Sequence, residues 1–174
     1  MTDDIPIGHA TEDEVDAIVA LNNQYAPDGL TLHRSRAWVA DRVQNYLVAR
    51  AGDGHVVGCV AIDEYSPSLA ELVSLAVAEE AQGRGLGGRL IDAAATLARR
   101  RGHDELFAVS LAEALFLAKG FHETRVERFP EKRWRYLAVS RSELSIARKF
   151  CFSRELTERE PRKRRKPSRR KRPG

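Results

Sequence analysis

One stretch constrains this chain more than any other. Glu71-Leu72-Val73-Ser74-Leu75-Ala76-Val77 is followed, after five residues, by Gly83-Arg84-Gly85-Leu86-Gly87-Gly88 and then by an apolar-periodic segment. The first run is apolar enough for a central strand. Leu90, Ile91, Ala94, Leu97 and Ala98 recur at helical spacing, which predicts a helix from Leu86 to Arg101. Gly102 ends it, with Arg99, Arg100 and Arg101 at the negative end of its dipole. Strand, glycine loop and helix in that order make an anion site, because the first helical turn offers unpaired N–H groups and positive potential. Glycines let the backbone approach a bulky phosphate. Taken alone, the loop can also be a glycine-rich helix start with no ligand.

Short elements surround this unit. Thr11 with Glu14 three residues on is a capping box, and Val15, Ile18, Val19 and Asn22 continue it at helical spacing to Tyr25. Pro27-Asp28-Gly29 breaks the chain. A second helix is predicted from Ser35 to Val43, with Trp38, Val39 and Val43 as its apolar face. Residues 46–49 and 56–62 read as a hairpin turned by Gly52-Asp53-Gly54. After the long helix the pattern predicts a strand over 106–110 and a helix over 112–119, closed by Gly120-Phe121. Strands over 122–128 and 144–150 complete it. The sum is an α+β fold with a mixed, partly parallel central sheet flanked by helices. The domain is expected to span residues 1–152. Residues 153–174 become rich in Arg, Lys and Pro and are expected to form a disordered tail.

Charge is informative through its distribution. Residues 161–174 hold nine of the 29 basic residues and no acidic one. The preceding 160 residues carry 20 basic against 25 acidic residues, a net of −5. Any polyanion argument therefore belongs to the tail. Its charges could neutralise several phosphates, which makes a nucleic-acid- or ribosome-associated protein the reading from another class. No aromatic residue is interleaved for base stacking, and a solvated tail is the plainer account. The acidic N-terminus lacks a signal peptide's features, and no apolar run is long enough to span a membrane, so no membrane partner is expected. Cys59 and Cys151 are far apart and lack CxxC spacing, which argues against a bound metal and against a disulfide framework. A reducing cytoplasm fits. Cys59, inside Val57-Gly58-Cys59-Val60, reads as a buried small hydrophobe.

Three phosphate-binding readings compete for the loop. A P-loop needs Gly-Lys-Ser/Thr, and Gly87-Gly88-Arg89 does not supply it. Gly83, Gly85 and Gly88 spell a dinucleotide-binding fingerprint, but Asp104 precedes the second strand where the acidic residue should follow it, and the turn after Val77 is too long. The third pattern is Gln/Arg-x-x-Gly-x-Gly/Ala, which Gln82-x-x-Gly85-x-Gly87 supplies after Ser74-Leu75-Ala76-Val77, with Ala118-Lys119-Gly120-Phe121 at a later helix end. On these motifs the chain closely resembles the GCN5-related N-acetyltransferases.

The resemblance implies acetyl-CoA as co-substrate, with its pyrophosphate on Gln82, Gly83, Arg84, Gly85, Leu86, Gly87 and Gly88. It also implies a gap between strands four and five that receives the pantetheine arm along the backbone of Leu75, Ala76 and Val77. The Val77 N–H would then polarise the thioester carbonyl. Many members place a Tyr before the Gly-Phe pair as acid to the thiolate. Leu115-Phe116-Leu117 offers none, and Ser110 is the nearest replacement. Glu71 and Glu64 are candidate bases.

Further segments narrow the resemblance to the acetyltransferase domain of N-acetylglutamate synthases, in single-domain form. They are Gly29-Leu30-Thr31-Leu32-His33-Arg34-Ser35-Arg36, Val57–Ile62, Phe107–Ser110, Phe129–Trp134 and Ser140-Arg141-Ser142. This implies L-glutamate as the favoured acceptor amine, in arginine biosynthesis, with its carboxylates held by Arg34, Arg36, Arg141 and Ser142. Arginine forks suit carboxylates. Another small amine or a protein amine is the alternative acceptor, and a homodimer is compatible with the reading.

Overall fold

The computed structural model describes residues 4–132 and 150–157. Its strands are β1 (Ile7–His9), β2 (Tyr46–Arg50), β3 (Val56–Glu64), β4 (Leu69–Val77), β5 (Glu105–Ser110), β6 (His122–Thr124) and β7 (Phe150–Glu155). Its α-helices are α1 (Val15–Gln24), α2 (Arg36–Ala40), α3 (Leu86–Arg100) and α4 (Glu113–Ala118). The strands form one open sheet in the order β1-β2-β3-β4-β5-β7-β6. All neighbours are antiparallel except β4 and β5. The fold is thus the expected α+β type with a partly parallel sheet.

Helix α3 packs on β2, β3 and β4, with Leu86 and Leu90 seated over Gly58. A Cβ there would lie 3.0 Å from Leu90 Cδ1, so glycine lets the helix seat on the sheet. Leu86, Leu90, Ile91, Ala94 and Ala98 are buried against it, as their spacing predicts. Helix α1 packs on β3 and β4 through Val15, Ile18 and Leu21. Its entry is secured by Glu14, whose carboxylate accepts the Thr11 N–H at 2.8 Å and pairs with Arg50. Burial and the Arg50 contacts compete there, and the contacts hold the Glu14 carboxyl below its ordinary value.

Four expectations need correction. Strand β1 was not foreseen: three residues around Gly8 carry no alternation, and pairing with Leu47–Ala49 defines them. Helix α2 stops at Ala40, Val43 falls in a separate 3-10 turn, and Ser35, expected as the first helical residue, is instead the cap, its Oγ accepting the Trp38 N–H. The 122–128 segment is strand only to Thr124. The last strand runs over 150–155; of the expected 144–150 strand, residues 144–149 lie outside the described residues. Its polar end hid it: Ser153 is buried with its hydroxyl on Glu105, and Arg154 donates to Lys119 O at 3.2 Å. Strand pairing therefore continues past residue 152, to Glu155 opposite Glu105, and Leu156 is buried beyond it. The tail at 161–174 lies outside the described residues.

Candidate active site

Strands β4 and β5 pair only over Leu69–Glu71 with Glu105–Phe107. Beyond Glu71 they part, and β5 continues against β7 alone. A bulge in β4 accompanies the split. From Cys59 opposite Ala76 the register jumps to Ala61 opposite Val73, so β4 carries one residue more than β3. Ser74 absorbs it with φ of 55°, the one left-handed non-glycine among the described residues. Two side chains hold it from behind: Tyr46 OH meets Ser74 Oγ at 3.0 Å, and the Cys59 thiol donates to Ser74 O at 3.3 Å. Burial pushes the Cys59 thiol up to about 12, so it acts as the small buried group the sequence suggests.

Past the bulge, Val77 lies opposite Gly58, while Ala78 N–H donates to Val57 O at 2.8 Å. Antiparallel pairing alternates, so Val57 and Ala78 form the hydrogen-bonded pair, and Val77 turns its N–H and C=O away from β3, towards the gap. The carbonyl is engaged there: Tyr25 OH donates to it at 2.5 Å and Gln82 Nε2 at 3.0 Å.

The glycine loop follows. Gly83 and Gly85 have φ of 75° and 74°, with Gly85 as N-cap of α3. A Cβ at either would meet nothing within 4 Å. Their glycines are therefore set by backbone conformation, and the space before them is open. Gly87 and Gly88 face α4 instead: a Cβ on Gly88 would come 2.6 Å from Lys119 Cε. Arg84 is exposed beside the loop, and Leu86 is buried. Open donors at the start of a 15-residue helix fit a pyrophosphate.

A cavity of about 220 Å³ occupies the β4–β5 split. Leu72–Leu75 wall one side, Ala108–Ala112 the other, and Leu30, Leu32 and Arg34 from the α1–α2 connection reach over it. Arg34 is fixed by reciprocal 2.8 Å bonds between its backbone and the Asn23 side chain, and its guanidinium lies 3.9 Å over the Trp38 ring. Its Nε is buried without a hydrogen-bond partner among the described residues. Arg36 goes elsewhere: it pairs with Asp16 on the exposed surface and does not line the cavity. One helical step separates it from Ser35, the cap, and turns it outward. Ser110 lines the cavity, its Oγ accepting the Ala112 N–H at 3.0 Å. Arg141 and Ser142 lie outside the described residues.

Two carboxylates separate in the structure. Glu64 sits at the far end of β3. Burial works against its charge, yet bonds from Arg101 and His103 hold its carboxyl below the ordinary value. Glu71 is buried at the cavity, bonded to Tyr65 OH at 2.5 Å and to the buried Lys132 ammonium. Lys132 and Tyr25 were not singled out as site residues by sequence reasoning. Lys132 follows a Phe-Pro pair with no pattern of its own, and Tyr25 reads as the last apolar residue of α1. No group of His, Cys, Asp and Glu among the described residues could hold a metal.

A split strand pair, an open strand edge and a glycine loop at a helix start define an acyl-CoA-dependent N-acyltransferase. The acetyltransferase (GNAT) family model matches residues 15–125, and the chain belongs to that family. An uncharacterized N-acetyltransferase of Chlorobaculum tepidum is 35% identical over 122 residues, 70% of this chain and 78% of that protein. The amino-acid acetyltransferase of Ralstonia nicotianae is 32% identical over 143 residues, 81% of this chain and 32% of its own length. Among solved structures, N-acetylglutamate synthase from Neisseria gonorrhoeae, complexed with coenzyme A and N-acetyl-glutamate, superposes with a TM-score of 0.77 at 27% identity. That match covers 88% of this chain and 35% of the synthase. A Mycobacterium tuberculosis protein in complex with CoA gives 0.75 at 25% identity, covering 87% and 99%. The chain thus spans about a third of the amino-acid acetyltransferases it matches. It is an N-acetyltransferase that takes acetyl-CoA as co-substrate.

Proposed function

We propose that the enzyme acetylates the α-amino group of L-glutamate and so serves arginine biosynthesis. The observation that carries this is Arg34: its Nε is buried at the cavity wall without a partner among the described residues, and such a donor is costly unless a substrate anion completes it. The relative solved with N-acetyl-glutamate supports the same acceptor. Arg141 and Ser142 are proposed to hold the second carboxylate.

Acetyl-CoA supplies the acyl group as an activated thioester. Gln82, Gly83, Arg84, Gly85, Leu86, Gly87 and Gly88 present the donors for its pyrophosphate. The unpaired edge of Leu75, Ala76 and Val77 takes the pantetheine arm as an added strand. Attack by the amine develops negative charge on the carbonyl oxygen, and the Val77 N–H faces the gap where that charge forms. Glu71, at the cavity and bonded to Lys132, is placed to receive the amine's proton through water, and Ser110 to return one to the thiolate. The deciding experiment follows acetyl-CoA consumption across free amino acids. Glutamate should be preferred; equal rates on glutamate and glutamine would overturn the two-carboxylate reading.

A further inference from the structure

Tyr25 is the C-cap of α1, yet its hydroxyl reaches 52 residues along the chain. It donates to Val77 O at 2.5 Å and accepts from Gln82 Nε2 at 3.0 Å, while the same Gln82 nitrogen donates to Val77 O at 3.0 Å. The three groups close a triangle in which the carbonyl has both lone pairs used. Its corners belong to three different elements: the end of the acceptor-side helix, the end of β4 and the first residue of the glycine loop. The ring of Tyr25 packs partly buried against the core, so the hydroxyl is aimed by a fixed body.

We propose that Tyr25 is a positioning residue for acetyl transfer, holding the Val77 carbonyl jointly with Gln82 so that the neighbouring Val77 N–H stays aimed into the β4–β5 gap. The inference rests on the proposed role of that N–H. A strand end beyond a bulge has lost the ladder on one side, and β5 supplies no partner there. The ladder holds the Val77–Ala78 peptide from the β3 side, through the Ala78 N–H on Val57 O, and the triangle holds the same peptide's carbonyl from the gap side. The triangle also connects the two substrate sites mechanically. Tyr25 directly precedes the segment that carries Leu30, Leu32 and Arg34 over the cavity, and Gln82 opens the loop assigned to the pyrophosphate.

The test is a double-mutant cycle in the full chain with Tyr25→Phe and Gln82→Ala. Tyr25→Phe keeps the ring and should leave the melting temperature nearly unchanged. It should lower kcat about 3- to 10-fold, the scale of one neutral hydrogen bond, while the KM for acetyl-CoA stays within roughly twofold. The double variant should lose less than the product of the single losses, because both side chains act on one carbonyl. Unchanged kcat in Tyr25→Phe, or losses that multiply, overturns the proposal. So does a fall in kcat that merely tracks a fall in melting temperature. Calorimetric titration of Gly85→Val with acetyl-CoA separates the two readings: undiminished binding there defeats the loop assignment, whereas lost binding with an unaffected Tyr25→Phe defeats only the role of Tyr25.

Discussion

Tyr46 OH lies 3.0 Å from Ser74 Oγ, and that contact sits directly behind the only left-handed non-glycine backbone among the described residues. Both residues are buried, Tyr46 completely. Tyr46→Phe therefore removes the hydroxyl's partner without changing the ring. Unfolding in urea should show a loss of about 1–3 kcal/mol, the penalty for a buried hydroxyl deprived of its partner. A variant as stable as the parent would show that the bulge does not depend on this contact.

Gly85→Val should cut acetyl-CoA affinity at least about tenfold, as read by calorimetric titration. Gly85 has φ of 74° at the N-cap of α3, a conformation that costs an L-residue roughly 1–2 kcal/mol. Its Cβ would also project into open space at the proposed phosphate site rather than into protein. The same substitution at Gly58 should instead unfold the domain, since Leu90 and Leu86 stand in the way.

Arg34→Ala should raise the KM for glutamate about 10- to 150-fold, the worth of one charge-assisted contact, and leave the KM for acetyl-CoA nearly constant. Arg34→Lys should be impaired as well, because the buried Nε belongs to a fork that an ammonium cannot replace. Arg36→Ala should leave both constants near those of the parent. Steady-state kinetics on the three variants decides this.

Ser110→Ala should lower kcat about 10- to 1,000-fold if its hydroxyl protonates the thiolate, with little change in either KM. The 3.0 Å bond from the Ala112 N–H already orients Ser110 Oγ as an acceptor and leaves its proton for another partner. Single-turnover measurement of thiol release is the readout, and an unchanged rate removes Ser110 from the chemistry.

A chain ending at Phe152 should melt well below the full chain, while one ending at Thr157 should retain its activity. The first cut removes Ser153, Arg154 and Glu155 from the β5–β7 ladder together with the buried Leu156. Thermal melts and an acetyl-CoA consumption assay of the two truncations distinguish them. Equal stability would show that strand pairing beyond residue 152 contributes nothing.

The legible parts of this molecule were those with a local cause. The α3 stripe, the glycine turn at 52–54 and the loop at 82–88 each depend on a few consecutive residues, and each is where the spacing predicts it. Ser74 is different. Nothing about a serine in an apolar strand announces a left-handed bulge; its conformation is set by Tyr46 and Cys59, which are 28 and 15 residues away. Arg34 and Arg36 show the same limit at a site. Both read as carboxylate forks from sequence, and only the direction of the chain at Ser35 separates the one over the cavity from the one paired with Asp16. Tyr25 and Lys132 act across 52 and 61 residues, beyond the reach of any periodicity.

The position of β7 has a consequence for biosynthesis. It is late in the chain, yet it lies between β5 and β6 in the sheet. As the polypeptide leaves the ribosome, β5 and β6 emerge first with no strand to join them, and the β5 edge from Glu105 to Ser110 stays bare until residues 150–155 follow. At about 5–20 residues per second that interval lasts seconds, long enough for an apolar edge such as Leu106-Phe107-Ala108-Val109 to meet another chain. Premature termination between Thr124 and Phe150 would therefore release a chain with an open, sticky edge rather than a smaller folded one.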